Sequence, residues 1–315
     1  MSKQDEIKKG TKEMEVANPI YDSVFKYLME DDLEARTILS ALLKKEVVSV
    51  EVRPHEYSNT MKEPISMFRI DFAARVRQSD GTVQQTLIEL QKSWVPSEVL
   101  RFRQYLGVQY ESERNVTADG YGLPMVAVYL LGHKVGDIEE PVIYVHHEAL
   151  DYDGNLVTKG IPDPFVSSLT HDSIIVQIPH LSGKVRNRLD QILSVFNQSQ
   201  AKGENQHTLL LDESLYPEDD AEIQRILRRL LMAAASSDIR QDMNVEDEYY
   251  SYLEQKETEV LIKDKIIAQK DAQLSQKDAQ LSKSIKMLIG AGLPKEKVAE
   301  NLGVDIETVK GMLDS

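Results

Sequence analysis

The sequence predicts a mixed α/β domain, followed by a long charged helix and a C-terminal helix-turn-helix. Three observations carry this prediction. Residues 65–91 alternate apolar and polar side chains in two arms, as a half-buried β-hairpin does. Short apolar runs beyond them are interleaved with helix-patterned stretches, and after about Glu246 apolar residues recur every seven positions. At 315 residues the chain exceeds the roughly 100–200 residues of a typical domain, so one large domain with appendages is expected.

The opening, MSKQDEIKKGTKEMEV, is charged throughout and lacks the apolar stretch of a secretory signal; residues 1–17 are expected as a flexible segment. The α/β domain is expected over 18–245. In it, the first hairpin arm, ISMFRIDFAARVR, sets Phe68, Ile70, Phe72, Ala74 and Val76 on one face and Arg69, Asp71, Ala73 and Arg75 on the other. The second arm, TVQQTLIELQK, gives Glu89 and Gln91 a common face. The turn decides the register. A three-residue loop of Ser79, Asp80 and Gly81, with Gly81 left-handed, sets Asp71 opposite Glu89; a two-residue Asp-Gly turn would set it beside Leu90 and split the polar trio between faces. The three-residue loop is the reading adopted.

Strands are expected around Val126–Leu131, Val142–His146 and Ile174–Ile178, and helices over Lys184–Ser199 and Ala221–Ala235. Over 246–288, Leu253, Val260, Ile267, Leu274, Leu281 and Leu288 fall at strict sevens, and QKDAQLS occurs twice in tandem. Lys256, Lys263, Lys270 and Lys277 occupy the second core position, so the stretch is either a helical spacer or a weak coiled coil. In 289–315, Pro294 opens one helix, Gly303 makes a turn, and Val304 and Val309 pack a second helix, as in a helix-turn-helix. Asp305 and Glu307 at the start of that second helix suit a DNA groove poorly, leaving protein binding open beside DNA binding.

Two facing carboxylates, Asp71 and Glu89, with Gln91 one pleat on, can hold a hard divalent cation, which takes oxygen ligands and commonly one or two protein carboxylates. The alternative is an exposed strand with solvated acids. His146 and His147 are strand neighbours expected on opposite faces, and His133, His171 and His180 show no ligand spacing. DYDGN, from Asp151, reads as a turn and not as a calcium loop.

The order Asp, hairpin, Glu-x-Gln resembles the PD-(D/E)XK nuclease superfamily, in the Rpn branch of recombination-promoting nucleases, or PD-(D/E)XK nuclease family transposases. NPIYDSVFKYLMEDD from Asn18 resembles that branch's opening Asp-x-x-Phe-Lys helix, VLRFRQYLGVQYESE from Val99 its Arg- and Tyr-bearing helix, and YGLPMVAVYLLG from Tyr121 its next core strand. The resemblance spans about residues 18–200. It implies a restriction-endonuclease-like mixed sheet flanked by helices and a Mg²⁺- or Mn²⁺-dependent DNA endonuclease serving recombination, mobile elements or defence. Asp71, Glu89 and the Leu90 carbonyl would bind the metal, Gln91 would position the attacking water, and Asp22 would add an acidic contact. Arg101 and Tyr105, four apart on one helix face, would touch the DNA. The family Lys is Gln at position 91, and a neutral amide can orient water but cannot offset charge, so catalysis is expected to be weakened unless Lys26 or Arg101 substitutes.

Composition narrows the classes further. Without cysteine there are no disulfides and no thiolate zinc sites, and no stretch approaches the roughly 20 apolar residues that span a bilayer. A soluble, cytoplasmic protein is expected, with no membrane partner. A formal charge of −15 opposes DNA at long range, so contact with DNA must be local. Two classes follow: a metal-dependent nuclease, with a homo-oligomer through the heptad helix as a further expectation, or a nuclease-fold protein that has become a DNA- or protein-interaction module.

Overall fold

The computed structural model describes residues 12–53, 67–93, 99–182, 184–203 and 206–314. They fall into two compact units, Met1–Tyr250 and Ser251–Ser315.

The first unit is built on a six-stranded mixed sheet. Its strands are β2 (Val47–Arg53), β3 (Met67–Arg77), β4 (Val83–Ser93), β5 (Met125–Leu131), β6 (Val142–Val145) and β7 (Asp172–Gln177), in the order β2-β3-β4-β5-β7-β6. The pairs β4–β5 and β5–β7 are parallel, the others antiparallel. A second sheet joins β1 (Glu13–Ala17) to β9 (Thr208–Asp212) and β9 to β8 (Ala201–Lys202). Helices α1 (Asp22–Met29), α2 (Asp32–Leu43), α3 (Val99–Glu111), α4 (Pro164–Ser168), α5 (Arg188–Leu193), α6 (Ala221–Ala235) and the start of α7 (Ser237–Gly290) complete it.

Alternation sorts the sheet into two faces. Phe72, Ala74, Val76, Ile88, Leu90, Val128 and Val176 enter the main core with Phe25 and Leu28 of α1, Leu39 of α2 and Ile226 of α6. On the other face Leu87, Met125 and Ala127 pack with Leu106 of α3. The hairpin turn has the expected form. Gly81 has φ +84°, its N–H donates to the Gln78 carbonyl at 3.0 Å, and the Gln78 N–H donates to the Thr82 carbonyl at 2.8 Å. Asp80 accepts the Thr82 N–H at 2.9 Å, as turn aspartates do.

Several expectations need correction. The segment expected to be flexible over 1–17 carries β1, where Val16 and Ala17 are fully buried against β9; residues 1–11 lie outside the described residues. The helix expected over Lys184–Ser199 is only α5, followed by two 3-10 turns. Asn187 starts α5 by accepting the Asp190 N–H, Ser194 turns its hydroxyl back to the Gln191 carbonyl, and Asn197 accepts the Ser199 N–H. Local bonds of this kind compete with a continuous helix. Glu246, expected to open the heptad segment, is buried in the first unit.

In the second unit α7 runs on to Gly290, followed by α8 (Lys295–Leu302) and α9 (Ile306–Asp314). Gly303, at φ +65°, ends α8, and Ile285, Val298, Ala299 and Val309 form a small core. Among the described residues no helix is long and apolar enough to cross a membrane.

Candidate functional site

The register of β3 on β4 sets Asp71 directly opposite Glu89 and Arg69 directly opposite Gln91. Positions two apart share a face, so Arg69, Asp71, Glu89 and Gln91 form a block on the face that also carries Leu87 and α3. The side chains of these four, and of Arg53, Arg101 and Tyr105, lie outside the described part of the structure, and the backbone alone places them. One row crosses the sheet there: Arg53 of β2, Asp71, Glu89, Ala127 of β5 and Ser173 of β7. Ala127 puts only a methyl group beside position 89. The next row sets Gln91 beside Tyr129.

Helix α3 covers this face. Phe102 and Leu106 are buried, and the Phe102 and Tyr129 rings meet at 5.0 Å. Arg101 and Tyr105 each immediately precede one of these covered positions, and Arg103 is exposed. Leu90 is fully buried on the opposite face, in a strand flanked by β3 and β5.

Asp22 is the first residue of α1. Its backbone N–H and that of Ser23 donate to the Glu246 carboxylate at 2.6 and 2.9 Å, so a buried acid from α7 caps α1 at its positive end. Beside them the Tyr21 hydroxyl donates to Asp247 at 2.8 Å, and His207 Nε2 meets the other Asp247 oxygen at 2.6 Å. Burial and then the Asp247 bond push the Tyr21 hydroxyl far above the ordinary phenol range. Lys26 projects from the exposed side of α1 toward Glu30, at 3.8 Å, in a solvated i,i+4 pair.

The histidines are arranged differently from expectation. Strand β6 stops at Val145, so His146 and His147 leave the alternation, and each ring's Nδ1 meets an oxygen of Asp172 at 2.9 Å. Burial raises the Asp172 carboxyl, but the bonds from His146 and His147 outweigh it and hold it below the ordinary carboxylate value. Among the described residues no group of three or more His, Asp or Glu is arranged to hold a metal ion. This trio clamps β6 to β7.

Sequence reading passed over Arg53 and Arg69 as site residues. The signal for Arg69 was present, because the turn that pairs Asp71 with Glu89 also pairs Arg69 with Gln91. Arg53 required β2, which sequence reading did not anticipate. No family model, no curated protein and no solved structure matches this chain.

Proposed function

We propose that the chain is a metal-dependent DNA endonuclease of the PD-(D/E)XK kind its motifs resemble. The observation that supports this most is the pairing of Asp71 with Glu89 across an antiparallel hairpin, with Gln91 one pleat further on. No packing role calls for two facing carboxylates, and like charges so placed repel unless a cation lies between them. The donor set of Asp71, Glu89 and the Leu90 carbonyl consists of hard oxygens, which suits Mg²⁺ or Mn²⁺. Such an ion supplies charge neutralisation at the scissile phosphate and makes water more acidic.

The chain's own residues supply positioning. Gln91 orients the attacking water by hydrogen bonds, and Arg101 and Tyr105 of α3 hold phosphate and an adjacent base; Asp22 is left out of this role, because α1 packs on the other face of the sheet. Arg69 is the register partner of Gln91 and carries the positive charge that Gln91 lacks. With a chain charge of −15, contact with DNA must be local to the proposed site. α8 and α9 are proposed as a helix-turn-helix that adds affinity, and the heptad stretch of α7 as the seam of a homo-oligomer. Gln91 itself favours a second reading, a nuclease fold retained as an interaction module.

Incubation of supercoiled plasmid with the protein separates the two. Nicked or linear product is expected with Mg²⁺ or Mn²⁺ and not with EDTA. Intact plasmid under both metals, together with absence of Mn²⁺ binding by calorimetry, would sink the nuclease reading.

A further inference from the structure

On the sheet side away from α3, a cavity of about 980 Å³ opens between α2, α5, α6 and the start of β6. Six basic residues line it against four acidic ones, in a chain whose formal charge is −15. Arg186 and Arg188 are committed to carboxylates: Arg186 meets Asp190 at 2.7 Å, and Arg188 meets Asp220 and, at 2.7 Å, Glu222. The remaining four cations make no ion pair among the described residues.

Each of the four is held by something neutral or by nothing. Arg36 gives Nε to the Val47 carbonyl at 3.1 Å. Lys45 donates to the Gln78 amide oxygen at 2.9 Å. Lys44, the left-handed C-cap of α2, holds its ammonium 4.0 Å over the Tyr144 ring. Arg225 of α6 has a buried Nε with no hydrogen-bond partner among the described residues. An orphaned buried donor is costly, more so on a charged group, so it calls for an acceptor. Of the four lining acids, Glu46 is committed to Arg77 at 2.6 Å, while Asp190 and Glu222 serve the two paired arginines; only Glu140 is left.

Arg36, Ser40 and Lys44 fall at i, i+4 and i+8 on α2 and share one helix face, facing the same cavity as Arg225. The Ser40 hydroxyl oxygen accepts the Val47 N–H at 3.0 Å and keeps its proton for donation. Planar guanidinium forks match oxyanions bidentately, and a surplus of several cations calls for more than one negative charge. The volume lies at the upper end of the roughly 300–1,000 Å³ of small-molecule sites, far more than a bare ion needs.

We infer that this cavity is a binding site for a phosphorylated small molecule, held by Arg225, Arg36 and Lys44, on the opposite face of the sheet from the proposed nuclease centre. Nothing in it depends on the nuclease reading. The test is calorimetric titration of the full chain with ADP, tripolyphosphate, citrate and sulfate, all in EDTA so that no metal-held phosphate at the hairpin contributes. Saturable one-to-one binding of ADP or tripolyphosphate is expected, weakened at least tenfold in Arg225→Gln and in Lys44→Gln and unchanged in Asp71→Ala. Arg225→Met supplies a second readout. Removing the unpartnered buried Nε–H should leave the ligand-free Tm equal or higher while abolishing the rise in Tm that ADP gives the parent. The inference is overturned if no phosphate probe saturates, if both Gln variants keep parental affinity, or if citrate or sulfate binds as tightly as the phosphates.

Discussion

In the proposed nuclease, position 91 carries an amide where phosphodiester cleavage benefits from a cation, and the register sets Arg69 opposite it. If Arg69 stabilises charge that develops only in the transition state, Arg69→Ala should lower kcat by about a hundredfold with little change in KM. Gln91→Lys should keep or raise cleavage and make the Arg69 substitution milder, and a plasmid-nicking time course on the two single variants and the double variant measures both. Equal losses from Arg69→Ala in the parent and in the Gln91→Lys background would mean that the two positions do not share a task. Asp71→Ala and Glu89→Ala are expected to remove Mn²⁺ binding, read by calorimetry, while far-UV circular dichroism stays parental. Each removes one of the two facing carboxylates and halves the protein charge at the ion.

The hairpin is the element whose geometry was most legible beforehand, because a buried face fixes its alternation and one glycine fixes its turn. Gly81 holds φ +84° with open space where a Cβ would stand, so Gly81→Ala should cost only left-handed strain, about 1–2 kcal/mol in urea unfolding. A larger loss would mean that the register itself had slipped. Four strands were not anticipated, β1, β2, β8 and β9, and the first two show why. β2 carries a register shift between Val47 and Ser49 that breaks its period of two, and β1, EMEVA, is stabilised by β9 from far along the chain. In the candidate site, positions 71, 89 and 91 were legible for the same reason as the turn; the pairing of His146 and His147 on Asp172 was not, since it depends on where β6 stops. α6 was legible end to end, and its N-cap, Asp220, also meets Arg188. Burial raises the Asp220 carboxyl, but Arg188 outweighs it and holds the carboxyl below its ordinary 3.8. A depressed native pKa contributes stability that is present above 3.8 and lost as pH falls through the lowered native value. Asp220→Asn keeps a capping oxygen and removes the charge, so its Tm deficit should be full at pH 6 and fade with acidification below that range.

For the whole molecule, the division of labour turns on where the first unit ends along α7. Among the described residues, every member of the main buried core lies between Val16 and Met243, and the Glu246 and Asp247 side chains still serve α1 and Tyr21. Beyond Tyr250 the chain presents an apolar stripe instead, with Val260, Ile267 and Leu274 at 54%, 55% and 57% exposure. A stripe repeating every seven residues and left open to water in one chain suits burial against a second copy. A chain ending at Tyr250 should therefore fold cooperatively and sediment as a monomer, while the full chain self-associates. A chain ending at Val245, five residues shorter, loses the buried carboxylate that accepts two N–H groups at the head of α1 and the Tyr21 and His207 partner beside it. Charge-assisted bonds of this kind contribute about 1.5–3 kcal/mol each, so that shorter chain should unfold at clearly lower urea. Sedimentation velocity and urea titration on the three lengths decide the matter: equal stability of the two truncated chains would remove Glu246 from the fold, and a full-length monomer at tens of micromolar would remove the heptad stripe from assembly.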